Sequence, residues 1–312
     1  VGTHNQCLIL GSSGQVGKAL HKVLGEYAMA KTKDNLDIAD GEAVGELLDY
    51  LCPDVVVNAA SYTNAVTAES NQDDAWRPNT LGADNVAKAC ALRNIPLIYI
   101  SCDQVFGADD KRRKPYTEED ATGPTSYMGT TKLGGESAIL RIASIIENAK
   151  MPKWPFWIIR TSCVFEEPWR NSRNDIFQMM QLTRLRGKMT PLPLPLDVTR
   201  SPTYAPHLAQ ALAWLTQYYD EVQTGIYHVA NSGRPATMVD IGFHLSIETQ
   251  SRFRTEAINR DEYVKHLGCG SGIMPRYTAL NTTKFSDICP YEFPTWKEAL
   301  EEYVAAYAKY EK

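Results

Sequence analysis

The sequence predicts a doubly wound α/β fold: a mostly parallel sheet with helices on both faces and a smaller C-terminal lobe. Three observations predict it. Short apolar runs alternate with helix-length segments through the first half, a glycine-rich turn joins the first run to the first helix, and the pattern loosens after about residue 166. A strand, a helix and a second strand connect by a right-handed crossover, which sets the two strands parallel.

In chain order, Cys7-Leu8-Ile9-Leu10 is an apolar run ending at Gly11, and the helix that follows, from about 16 to 24, has Leu20 and Leu24 on one face. Residues 54–60, with Val55, Val56 and Val57, read as a strand buried on both faces. A helix is expected over about 80–93, a strand over 96–101, a helix over about 129–146 and a strand over 156–160. Five prolines between Pro191 and Pro206 demand extended or looped chain. Helices at 205–219 and 237–249, a strand at 225–229 and an amphipathic helix over 295–310, with Trp296, Leu300 and Val304 at helical spacing, complete the chain. Residues 1–165 are expected to form the sheet domain. Residues 166–312 would form mainly the smaller, substrate-binding lobe, with later elements free to rejoin the sheet.

Of the 312 residues, 44% are hydrophobic and 22% charged, enough for a sizeable core. A net charge of -5 without a long basic run argues against nucleic acid as a partner. The densest basic stretch, Lys111 to Lys114, stands between acidic residues and reads as a solvated loop. Seven cysteines, none at CxxC spacing, suit reduced and mostly buried thiols, Cys7, Cys52 and Cys90 among them, in a cytoplasmic protein. No run approaches the roughly 20 apolar residues that span a bilayer, no signal-peptide core stands at the start, and no membrane partner is expected. The six histidines show no metal-ligand spacing with one another or with cysteine, so no metal site is expected, and His228 reads as a satisfied core residue.

Gly11-Ser12-Ser13-Gly14-Gln15-Val16-Gly17 is a GxxGxxG turn in strand–turn–helix context. Gly11 permits the sharp turn, Gly14 lets backbone approach a pyrophosphate, and Gly17 lets helix pack on strand; the helix start offers free N–H groups to the anion. Ser13, Gln15 and Val16 belong to the same cradle. Together these features predict a Rossmann-type dinucleotide site. The region expected at the end of the second strand, 28–33, has no acidic residue until Asp34, and Lys31, Thr32 and Lys33 stand where a 2′-phosphate would lie. A carboxylate there would repel that phosphate, so NADP(H) is favoured over NAD(H).

The chain resembles the extended short-chain dehydrogenase/reductases of the dTDP-4-dehydrorhamnose reductase group, to which the regulatory β subunit of methionine adenosyltransferase also belongs. The resemblance runs almost end to end: the glycine turn, Leu36-Asp37-Ile38, Val57 to Thr63, Asn79, Tyr116 to Asp120, Lys132-Leu133-Gly134-Gly135-Glu136, Arg160-Thr161-Ser162, Ser201-Pro202-Thr203-Tyr204, Gly225 to Val229 and Pro275-Arg276. It implies that Asp37 and Ile38 flank the adenine. Ala59, Ala60, Tyr62 and, from the helix that follows, Asn79 would line the cofactor, and Lys132 would hold the nicotinamide ribose. It implies reduction of a 4-keto sugar nucleotide, with a tyrosine protonating the oxyanion and a serine or threonine hydroxyl holding the carbonyl.

The reacting positions depart from that pattern. The group's Tyr-x-x-x-Lys puts both side chains on one helix face, but four residues before Lys132 stands Met128. Tyr127 is five residues away, about 140° round a regular helix, unless an irregular first turn brings it back. Cys102 replaces the threonine, and a thiol is a poor donor to a carbonyl. Cys163 replaces a tryptophan expected near the sugar, and Val66-Thr67 replace an Asp-Lys pair. Two substitutes stay open. Asp103 would donate the proton, as an acidic residue does in related dehydratases with methionine at the tyrosine position, although those carry lysine where this chain has Gln104. Alternatively Cys102 would act as an acid–base thiol, its pKa lowered by Lys132. Two functions therefore stand side by side: an NADPH-dependent reductase of a nucleotide sugar with a rearranged proton donor, and a catalytically degenerate, cofactor-binding regulatory subunit with a protein partner.

Overall fold

The computed structural model of the chain describes residues 5–166, 191–249, 254–266, 270 and 273–310. β1 (Cys7–Leu10) turns into α1 (Gln15–Leu24), followed by β2 (Ala28–Lys31), α2 (Gly41–Leu51) and β3 (Val55–Asn58). Two short helices, α3 (Ala65–Ala68) and α4 (Gln72–Trp76), lead through a π-helical segment, Arg77–Gly82, into α5 (Ala83–Leu92). Then come β4 (Leu97–Cys102), α6 (Tyr127–Asn148), β5 (Phe156–Thr161) and β6 (Val164–Phe165). Beyond them lie β7 (Leu192–Pro195), β8 (Thr199–Arg200), β9 (Thr203–Tyr204), α7 (Ala205–Tyr218), β10 (Gly225–His228), β11 (Ala236–Thr237), α8 (Met238–Glu248), β12 (Thr255–Ile258), α9 (Arg260–His266), α10 (Thr283–Ser286) and α11 (Trp296–Tyr310).

Six strands form one parallel sheet in the order β10-β5-β4-β3-β1-β2. Alternation along each strand sends Ile9, Val57, Ile98 and Ile159 to one face, where they meet Leu20 of α1 and Leu208, Leu212 and Leu215 of α7. Leu8, Val56, Tyr99 and Ile158 go to the other, against Val44, Val86 and Ile139 of α2, α5 and α6. Burial on both faces is why these strands are near-continuous apolar runs. The doubly wound α/β architecture is thus present. α7 and β10, from the second half of the chain, belong to this layer and to the sheet edge.

A second core gathers Phe165, Leu194, Tyr204, Ile241, Leu245, Trp296, Leu300 and Tyr303 under α8 and α11. The proline-rich stretch contributes β7, which pairs in parallel with β12. Leu192 and Leu196 donate their N–H groups to Arg254 and Ile258, both at 2.9 Å, while Pro193 and Pro195 alternate with them and need no acceptor.

Two boundaries and one burial differ from expectation. The helix expected from 80 begins earlier, at Gln72, and widens over Arg77–Gly82. Pro78 lies in that segment; it has no N–H, and its ring would strike the carbonyl four residues back in a regular helix, so a wider turn accommodates it. α6 begins at Tyr127, not Gly129, because the Ser126 hydroxyl caps it by accepting from the Gly129 N–H at 3.0 Å. Cys52, expected to be buried, is exposed at the left-handed end of α2. Among the described residues no helix is long and apolar enough to cross a membrane.

Candidate active site

The site lies at the C-terminal ends of β1, β3, β4 and β5, and its first part is the glycine turn. Gly11 has φ +81, and a Cβ there would come within 2.5 Å of the Ala60 backbone. A Cβ on Gly17 would sit 2.7 Å from the Ser12 Cα and closer still to the Gly11 carbonyl oxygen. These two positions bring β1, β3 and α1 into backbone contact. Gly14 precedes α1, no side chain caps the helix, and no acidic residue stands in its first turn. The N–H groups of Gln15, Val16 and Gly17 therefore have neither an intrahelical acceptor nor a capping side chain. An uncapped first turn free of carboxylates, reached by a turn without side-chain bulk at its tight points, fits a dinucleotide's pyrophosphate. Ser13 is exposed beside it.

Lys31 ends β2, and its carbonyl accepts from Gly11 and Ser12 at 2.9 and 3.1 Å, so β2 and the turn move together. Thr32 starts a turn: its hydroxyl donates to the Asn35 Oδ1 at 3.1 Å, while Lys33 is exposed. Asp37 accepts the Ala39 N–H at 3.0 Å and pairs with Arg77 at 3.0 Å. That backbone bond and the Arg77 guanidinium hold its carboxyl below the usual carboxylate range. Arg77 is a cation that sequence reasoning missed; its neighbours Pro78 and Asn79 gave no hint that it folds over Asp37. Ile38 is buried against Gly82.

Ala59 and Ala60 follow β3 and are partly exposed beside the turn. Asn79 has a different role from the one expected. It is fully buried, accepts from the Ser61 hydroxyl and the Tyr62 N–H at 2.9 and 2.8 Å, and donates to the Tyr62 carbonyl and the Thr131 hydroxyl, both at 2.9 Å. Every polar atom of its amide is spent, so it pins the Tyr62 segment to α6 and has no group left for a ligand. The Tyr62 hydroxyl meets Thr67 at 2.6 Å.

The expected reacting residues converge. Met128 packs with Ala68 and Ala75, and Tyr62, Cys102 and Tyr127 close around them. Lys132 is buried, donates from Nζ to the Ile100 carbonyl at 2.5 Å and stands 4.6 Å from the centre of the Tyr99 ring. Burial pulls its ammonium down to about 8, against the opposing effects of Cys102 and Glu136. α6 is regular from Tyr127 onward, with Thr130 donating to the Ser126 carbonyl at 3.0 Å. No irregular first turn brings Tyr127 round to the Lys132 face. The expectation of an activated Cys102 thiol also fails. Burial and the Asp103 carboxylate push it up to about 12, outweighing Lys132.

Asp103, the other substitute donor, is buried and occupied. Its Oδ2 accepts from Ser162 at 2.8 Å, from Arg200 at 3.2 Å and, more closely, from Thr278. Arg200 and Thr278 went unread in the sequence, since nothing local marks residues 97 and 175 positions away as partners. Beneath Lys132, Glu136 and Arg160 form a buried bidentate pair at 3.0 and 2.7 Å, with the Ser101 hydroxyl on the same carboxylate at 2.5 Å. They fix β4 and β5 to α6 just below the reacting positions.

The sequence matches the family model described as the RmlD substrate binding domain over residues 5–309. The chain belongs to the dTDP-4-dehydrorhamnose reductase family. A dTDP-4-dehydrorhamnose reductase of Mycolicibacterium smegmatis is 34% identical over 309 residues, covering 96% of this chain and 85% of the relative. The dTDP-4-dehydrorhamnose reductase of Bacillus anthracis, solved in complex with NADP, superposes with a TM-score of 0.83 at 24% identity over 97% of this chain and 99% of that one. The Bordetella bronchiseptica enzyme WbmG, solved with NAD and UDP, reaches 0.77 at 16% identity over 99% and 96%. Those two likenesses speak for the fold of the family; their cofactors differ.

Proposed function

We propose that this member of the dTDP-4-dehydrorhamnose reductase family binds NADP(H) and reduces a 4-keto nucleotide sugar with an altered set of proton-handling groups. The observation that carries the cofactor half is the uncapped, carboxylate-free start of α1 behind Gly11, Gly14 and Gly17. Lys31, Thr32 and Lys33 favour a 2′-phosphate at the end of β2, and Arg77 adds a further cation beside Asp37. Asp37, Ile38, Ala59, Ala60 and Tyr62 would flank the adenine and line the rest of the cleft. The cofactor, when bound, supplies the hydride. Lys132 holds a positive charge at the end of β4, and its pull to about 8 lets it give up a proton near neutrality more readily than an exposed lysine does. Residues 166–312 would supply most of the sugar-binding lobe, and a cytoplasmic setting suits a protein of this family.

NADPH consumption on adding a dTDP-4-keto-6-deoxy sugar tests this directly. Turnover that Lys132→Ala abolishes, with NADPH binding retained, is the expected result. Tyr127→Phe and Cys102→Ser then separate the candidate donors, of which Tyr127 would act only through a bound water or a shifted pose.

Three features favour a second reading, a regulatory subunit that binds cofactor without turnover: Met128 is packed into apolar surroundings, Tyr127 lies off the Lys132 face, and Cys102 is held as a neutral thiol. Tight NADPH binding, no consumption with any 4-keto nucleotide sugar, and a stoichiometric protein partner in pull-down would decide for it.

A further inference from the structure

We infer that the C-terminal lobe carries a divalent-metal site formed by His244 and Glu248 of α8 and Glu301 of α11, with Zn2+ as the fitting ion. His244 and Glu248 stand four residues apart on one helix face, and Glu301 faces them from the packed neighbour. One ligand atom from each lies within 4.8 Å of the others. Reading the histidines only against one another and against cysteine missed this His-x-x-x-Glu spacing.

The second observation is the state of the imidazole. Nε2 of His244 is sealed from solvent and has no hydrogen-bond partner. Its two carboxylates stand off at 3.8 Å (Glu248) and 3.7 Å (Glu301). Nearby, His207 shows what a direct pair looks like: its Nε2 meets Glu302 at 2.9 Å. Ligands bound at roughly 2.1 Å in a tetrahedron stand about 3.4 Å apart. The two histidine–carboxylate separations lie a few tenths of an ångström beyond that, and the two carboxylate oxygens stand within 4.8 Å of each other. The ring is oriented by the Trp296 indole, edge to face at 5.7 Å, and that indole is itself fixed by its N–H to the Arg234 carbonyl at 2.9 Å. One imidazole nitrogen and two carboxylate oxygens suit Zn2+ over Mg2+. The half-exposed Glu301 leaves the outer side open to water as a fourth ligand. The ion would bolt α8 to α11, which otherwise meet through Leu245, Trp296 and Leu300.

The test titrates the chelator-stripped full chain with Zn2+ alone, by calorimetry, beside His244→Ala and Glu301→Gln. The expected result is one Zn2+ per chain, a rise in Tm on binding, and affinity weakened at least about ten-fold in each variant. Glu301 is exposed enough that its amide variant keeps the fold, which an unchanged Tm without metal checks. No Zn2+ uptake by the wild type overturns the proposal, and so does uptake that either variant leaves unchanged, as when a thiol such as the exposed Cys52 is the ligand.

Discussion

His228 has its tautomer dictated by its neighbours. Arg160 can only donate, so Nε2 of His228, 3.4 Å from that guanidinium, must be the accepting nitrogen, and Nδ1 carries the proton toward the Tyr116 carbonyl at 3.0 Å. A second proton would place an N–H against the guanidinium. Burial first, and the Arg160 charge second, pull the imidazole down to about 3. A base with a lower pKa folded than unfolded lets the unfolded chain take up the proton first as pH falls. Its share of stability is therefore intact above about pH 6.5 and is lost between there and about pH 3, up to about 5 kcal/mol. Urea unfolding of His228→Asn should show a flatter decline across that window than wild type; parallel curves would mean the imidazole titrates normally. The sequence told that His228 was a core residue because its strand is apolar. It could not tell the tautomer, which depends on Arg160 and Tyr116, 68 and 112 positions away. Cys102 and Asn79 were legible as candidate site residues through the family resemblance, and the direction of the thiol's shift and the amide's engagement were not.

The elements were legible where their signal is local. β1, β3 and β4 announce themselves as apolar runs because both faces are covered, and the glycine turn because backbone contact tolerates no side chain at two of its positions. The π-helical segment hid because Pro78-Asn79 reads as a break, although the helix widens there and continues. The start of α6 hid because Gly129 looks like a boundary while Ser126 does the capping. The turn itself yields a prediction at this scale. Gly17→Ala puts a methyl against the Ser12 backbone and the Gly11 carbonyl, neither of which can swing aside as a side chain would. α1 must back away from β1, at a cost of about 1–3 kcal/mol, and the first-turn N–H groups leave their shared focus. NADPH affinity, read by tryptophan fluorescence, should fall more than ten-fold while far-ultraviolet circular dichroism stays that of a folded chain. Unchanged affinity in a folded variant would place the pyrophosphate elsewhere.

At the scale of the molecule, what joins the sheet to the second half of the chain is polar as well as apolar. Asp103, just after β4, gathers Ser162 from beyond β5, Arg200 from β8 and Thr278 from the segment before α10 onto one oxygen. The donors lie 59, 97 and 175 positions away, so no local pattern marks the junction. The Arg200 side chain is only 13% exposed, and that carboxylate pairs with its charge at 3.2 Å. Asp103→Ala would leave a nearly buried cation unpaired and two hydroxyls without their acceptor, a loss of about 3–5 kcal/mol. In urea the midpoint should drop while the slope holds, since the surface exposed on unfolding is unchanged. Asp103→Ala with Arg200→Met should then be more stable than Asp103→Ala alone, because the orphaned charge is gone and an apolar stem of similar length takes its place. This reversal distinguishes a junction held by charge from one held by packing. If the second substitution only adds further loss, the sheet and the lobe are held by their apolar contacts, and Asp103 is free to serve the chemistry of the site instead.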